Sequence, residues 1–89
     1  MRTFEFWPDY GGVLLHEGGA PVAFDSLGLS PHLVVRATRW LSTYDDALLD
    51  PAKGDHAWVT EGRTLFELLS SALRSQEIEL TDWEGYWGR

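Results

Sequence analysis

The side chains able to do chemistry in this 89-residue chain are three histidines, fourteen carboxylates and a set of large aromatic rings. His16, His32 and His56 stand far apart and form no H-E-x-x-H pattern, so the sequence offers no metal site. Without cysteine, thiolate ligation and disulfides are not available either. His16-Glu17 could supply acid–base groups if folding joined them to Asp9 or Asp25, but adjacency along a chain does not make catalytic geometry. Gly11-Gly12 and Gly18-Gly19 read as turns and match neither a P-loop nor a dinucleotide-binding loop. Ser70-Ser71 has no nucleophile motif and reads as helix surface. The chain is thus expected to be non-enzymatic and to need no cofactor, and a small enzyme using histidine and carboxylates is the weakest functional reading.

Binding chemistry is better represented. The segment Asp82-Trp83-Glu84-Gly85-Tyr86-Trp87-Gly88-Arg89 places three aromatic rings and two carboxylates at the C-terminal end of the sequence. Chain ends usually fray because little burial offsets the entropy of ordering them, so such rings must dock onto the domain or meet a partner. The net charge of −7 repels nucleic acid and anionic membrane and favours a basic protein partner. Residues 1–30 and 75–89 each contribute −3, whereas residues 31–54 are neutral and residues 55–74 contribute −1. The acidity belongs to the two ends.

The N-terminal residues lack the apolar core of a signal peptide, and no run approaches the roughly 20 apolar residues of a membrane span. Together with the absence of cysteine, this predicts a cytoplasmic protein, and the length predicts one domain over residues 1–89. Asparagine is absent, and Lys53 and Ile78 are the only lysine and isoleucine, a bias expected of a GC-rich genome.

Positioning these groups falls to elements whose periods can be read directly. Alternation predicts a first strand over residues 3–7, and turn chemistry at 8–12 and 17–20 frames a second at 13–16. A short third strand at 22–24 follows Pro21, as suits an edge or an extended connection. Ser30-Pro31 starts a helix expected to reach Leu49, with a stripe of Leu33, Ala37, Trp40, Leu41, Tyr44 and Leu48. Residues 50–54 break it, and Asp55 caps a second helix with a stripe of Trp58, Gly62, Leu65, Phe66, Leu69 and Leu73. Gly62 costs about 0.8–1.0 kcal/mol of helix propensity relative to alanine, which predicts close approach of another element. Alternation over residues 77–81 closes the chain with a strand. The resulting order, βββααβ or ββααβ, predicts an α+β two-layer domain. Its mainly antiparallel sheet of three or four strands is covered on one face by an antiparallel helix hairpin.

If Phe4, Phe6, Ile78 and Leu80 face the helices, alternation turns Glu5, Trp7, Glu77, Glu79 and Trp83 outward. Were the terminal strands neighbours, Glu5 would approach Glu77 or Glu79 at a cost of roughly 0.2–1 kcal/mol for each like-charge pair. Two explanations stand: the face recognises a basic protein, or its carboxylates solubilise an open sheet while the tail rings cover the apolar remainder. Asp45 and Asp46, late in the first helix, oppose its macrodipole and either pair with Lys53 or the start of helix two or bind a cationic partner. The partner-binding candidates are Glu5, Trp7, Asp9, Tyr10, Glu77, Glu79, Asp82, Trp83, Glu84, Tyr86 and Trp87.

In its small size, its acidity and its tryptophan-rich sheet and tail segments, the chain resembles the bacterial immunity proteins of polymorphic and contact-dependent toxin systems. The resemblance is one of type and rests on no shared motif. It implies a cytosolic inhibitor that binds a cognate toxin domain tightly, commonly a basic nuclease, and blocks it by occlusion. The alternative is a structural or regulatory subunit, including a homodimer in which the tail docks against a second copy.

Overall fold

The computed structural model describes residues 2–9, 11–44, 55–82, 85, 87 and 88. The N-terminal alternation produces strand β1, Arg2–Phe6, with Phe4 and Phe6 fully buried and Thr3 and Glu5 turned the other way. Strand β2, Leu15–Glu17, pairs antiparallel with β1, placing Leu15 opposite Phe6 and His16 opposite Glu5. Gly18 and Gly19, both at positive φ, form the tight turn into strand β3, Ala20–Val22. Paired positive φ matches the twist of a two-residue hairpin, and glycine adopts it without steric cost. Strand β3 contains Pro21 and lies at the sheet edge, where a missing N–H is tolerated. Strands β2 and β3 each lie about two residues from their expected positions, because the glycine pair fixes the register more strongly than the apolar runs do.

Helix α1, Pro31–Leu41, starts as the sequence predicts: Leu33 N–H donates to Ser30 Oγ at 3.2 Å, with proline at the first helical position. It stops at Leu41, well before Leu49. Thr43 and Tyr44 N–H bond the carbonyls of Trp40 and Leu41 in tighter three-residue turns. The hydroxyls of Ser42 and Thr43 occupy the carbonyls of Arg39 and Trp40, offering the backbone an alternative to further helix. Asp45, Asp46, the stripe residue Leu48, the expected helix end at Leu49 and the expected break at 50–54 lie outside the described residues. Helix α2, His56–Arg74, is capped by Asp55, whose carboxylate accepts from Ala57 and Trp58 N–H at 2.9 and 3.1 Å. Such a cap is worth about 1 kcal/mol. The stripes fall inward: Ala37, Trp40 and Leu41 from α1 and Trp58, Gly62, Leu65, Leu69 and Leu73 from α2 are buried. They share one core with Phe4, Phe6, Leu14, Leu15, Ile78 and Leu80.

Strand β4, Ile78–Asp82, completes a four-stranded sheet in the order β3-β2-β1-β4. It runs parallel to β1, so the sheet is mixed, which corrects the expectation of a mainly antiparallel one. Hairpin strands must reverse direction, but a strand reached through two helices is free to run parallel. The same register removes the predicted carboxylate clash, since Thr81 lies opposite Glu5 and Glu79 lies opposite Thr3.

Candidate protein-binding surface

The acidic residues divide according to whether backbone amides lie within reach. Glu5 accepts hydrogen bonds from Gly19 N–H at 2.9 Å and Gly18 N–H at 3.3 Å. The two left-handed glycines turn their amides toward one anion, and Glu5 supplies it from the neighbouring strand. Glu17 forms a forked, exposed ion pair with Arg2, at 3.0 and 2.9 Å. Its hydrogen bond to that guanidinium, aided by the positive charge, holds the Glu17 carboxyl below the usual carboxylate range. His16 and Glu17 therefore do not act together: Glu17 is turned to Arg2, and His16 Nε2 is within 3.2 Å of the Trp7 carbonyl oxygen.

Asp82 does more. One carboxylate oxygen accepts from Gly85 N–H at 2.9 Å, and the other accepts from both Trp87 and Gly88 N–H at 2.8 Å. Charge-assisted bonds of this kind are about twice as strong as neutral ones. They turn the chain at the end of β4 and deliver the Trp87 ring into the core, where it is only 1% exposed. There it meets Phe6, Trp40 and Trp58 edge-on, with centroids at 5.7, 5.4 and 6.0 Å. Gly62 makes the space: a Cβ there would lie 2.5 Å from ring carbons of both Trp40 and Trp87. The close approach inferred from Gly62 is thus supplied by two tryptophans. Trp40 and Trp58 stack at 4.3 Å, and each indole N–H donates to the other residue's carbonyl, at 2.8 and 3.3 Å. The assignment of Trp87 to a binding surface is corrected accordingly: it lies off the helical stripes yet belongs to the core, because Asp82 folds the tail back across Gly62.

On the outward face of the sheet, half-buried Trp7 stacks on His16 with centroids 3.5 Å apart and planes nearly parallel. The indole roofs His16, which is 2% exposed and whose Nδ1 has no hydrogen-bond partner. Beside it lies an open cavity of about 520 Å³ lined by Thr3, Glu5, Trp7, Gly18, Gly19 and Thr81. Glu79 is exposed next to it, opposite Thr3, and Glu77 is exposed just before β4. Asp9 is half-buried in the turn leaving β1, where its backbone bonds Val13 and Gly12. Tyr10, Trp83, Glu84 and Tyr86 lie outside the described residues. Of the sequence-predicted set, the structure brings Glu5, Trp7 and Glu79 to one face, and Glu77 lies at the adjoining edge.

The α1 surface was not singled out from sequence. A cavity of about 850 Å³ is lined by His32, Val35, Arg36, Arg39, Trp40 and Glu61 among others. Val35 is 54% exposed. Arg36 bonds Glu61 in a fork at 2.6 and 2.7 Å, which holds the Glu61 carboxyl below the usual range. Helix α1 has two arginines and no carboxylate, a signal readable in the sequence once charge is counted by element. Among the described residues, no group of three or more metal-ligating side chains converges, and no helix is long and apolar enough to cross a membrane. No family model, curated protein or solved structure matches the chain.

Proposed function

We propose that the chain is a cytosolic, non-enzymatic binding domain that holds a basic protein partner on the outer face of its sheet, and that it is an immunity protein acting by occluding a toxin. One observation carries this reading: exposed Glu77 and Glu79 flank a face that also presents Trp7 beside an open cavity. Carboxylates steer a cationic partner, and a partly exposed indole offers the rigid aromatic contact typical of interface anchors. The contacts of Trp40 with Trp58 and of Arg36 with Glu61 support an antiparallel helix pair covering the opposite face, which leaves this one open. Affinity capture from the native cell tests the proposal, using the wild type, Trp7→Ala and Glu79→Lys. The reading predicts one dominant basic partner, lost from both variants while their circular dichroism is unchanged. Equal recovery of that partner by folded Trp7→Ala and Glu79→Lys contradicts it.

A second reading, self-association, draws on α1. Helix α1 presents Arg36, paired with Glu61, and Arg39 beside exposed Val35, which can face the acidic sheet side of another copy. A salt-sensitive dimer in sedimentation, abolished by Arg39→Glu, would favour it over the first.

A further inference from the structure

We infer that the free edge of β4 is where the partner is gripped, by receiving an extended basic segment as a fifth strand. The inference rests on the binding reading above and specifies the form of the ligand. Strand β4 is hydrogen-bonded to β1 on one side and, among the described residues, to no strand on the other. Alternate residues of such a strand direct N–H and C=O groups outward, where they template further pairing. Ile78–Asp82 has no proline, no lysine and no break in its register with β1, and the charges it carries are the carboxylates of Glu79 and Asp82.

A cavity of about 410 Å³ opens beside this edge, lined by Ser70 and Arg74 from α2 and by Glu77, Ile78, Glu79 and Leu80. Ser70 Oγ is buried and has no hydrogen-bond partner among the described residues. A helical hydroxyl can satisfy itself on the carbonyl four residues back, as Thr64 does on Thr60 at 3.1 Å, but Ser70 does not. Ser70 lines the cleft, and a change of its rotamer would turn the buried hydroxyl to a backbone group arriving from outside. Arg74 on the same wall adds donors for the carbonyls of an entering strand. The turn into β4 passes through Glu77 at φ 61°, the one described non-glycine residue in that region of backbone space.

Charge and pleat then specify the occupant. Glu77 and Glu79 are exposed, and neither has a cation paired to it among the described residues. Ile78 and Leu80 face the core. A strand laid along β4 meets carboxylates on its outer side and apolar side chains on its inner side, so a matching segment alternates Lys or Arg with small apolar residues. A second copy of β4 would instead bring more carboxylates to the same edge.

The test uses the full-length, nitrogen-15-labelled chain and nine-residue peptides: one alternating lysine and valine, one alternating glutamate and valine, and two lysine peptides N-methylated on opposite alternating sets of backbone nitrogens. The lysine peptide is expected to shift the amides of Glu77–Leu80 and of Ser70 and Arg74 saturably. The glutamate peptide and one of the methylated peptides should bind at least about tenfold more weakly, since each removes a charge or hydrogen-bond term spread over several positions. Ser70→Ala should weaken the lysine peptide about 2- to 10-fold, the worth of one neutral hydrogen bond, without lowering the melting temperature of the free chain. Shifts confined to Thr3, Trp7 and Thr81, unaffected by Ser70→Ala and by methylation, would overturn the edge inference. So would the absence of any shift, or a peptide-free dimer that protects the β4 amides. If cellular capture still depends on Trp7 in those cases, the binding reading stands without the edge; if it does not, both fail.

Discussion

The two ends of β4 both carry carboxylates and use them in opposite ways. At its C-terminal end Asp82 accepts from the backbone amides of Gly85, Trp87 and Gly88, and the Trp87 ring becomes part of the core. At its start Glu77 and Glu79 accept from no backbone amide among the described residues and are exposed beside an open cleft. The local chemistry of the two stretches is alike in sequence. What separates them is the backbone around them: Gly85, at positive φ, lets the chain curl over Asp82, and Gly62 leaves room for the Trp87 ring. Carboxylates thus stay exposed where turns have not already claimed them.

Truncating Trp87 should produce the largest effect on this contrast. Trp87→Ala removes a fully buried ring from between Gly62, Phe6, Trp40 and Trp58, and is expected to lower unfolding free energy by about 3–5 kcal/mol in urea titration. A loss below about 0.5 kcal/mol, ordinary for a surface site, would return the tail to the interface. Gly62→Ala should follow at about 1–3 kcal/mol, through overpacking against two rings. Its cost should shrink when combined with Trp87→Ala, since one of the two clashes is then gone.

Next comes Asp82→Asn, which keeps the shape but loses the charge that accepts three amides. About 1–3 kcal/mol should be lost, together with faster hydrogen exchange at Trp87 and Gly88. The smallest effect concerns acid. Glu17 and Glu61 are held below the usual carboxylate range by Arg2 and Arg36, so the folded state binds their protons less readily than the unfolded chain does. Their stabilisation is present above the unfolded carboxylate value of about 4.3 and is lost as pH falls through the depressed values. Both pairs are largely exposed, so Arg36→Gln should only slightly flatten the acid limb of a pH–stability curve.

Much of the fold could be read in advance because its signals were periodic or chemical. The alternation of Phe4, Glu5 and Phe6, the caps at Ser30 and Asp55, and both helical stripes follow from side-chain geometry that neighbours reinforce. The parallel run of β4 was not legible, because no local pattern records which way a strand enters after a long crossover. The early stop of α1 depended on two hydroxyls competing for carbonyls, and residue spacing alone does not reveal that competition. At the candidate site, the outward placement of Glu5, Trp7 and Glu79 was legible from the pleat. That Glu5 and Asp82 are occupied by Gly18, Gly19 and the tail amides was not, since those contacts span a strand pair and a chain reversal. Trp87 was misplaced for the same reason. Its burial follows from a turn, and Gly62 in the opposing helix was the available clue.

The carboxylates divide between holding turns and lying free on the surface, and neutralising them one at a time separates the two roles. Glu5→Gln, Asp82→Asn, Glu77→Gln and Glu79→Gln should each be measured for melting temperature and for affinity toward the captured basic partner. Glu5→Gln and Asp82→Asn should lower the melting temperature, whereas Glu77→Gln and Glu79→Gln should leave it unchanged and weaken binding. Stability losses that fall on Glu77 and Glu79, or a partner affinity indifferent to both, would rule this division out.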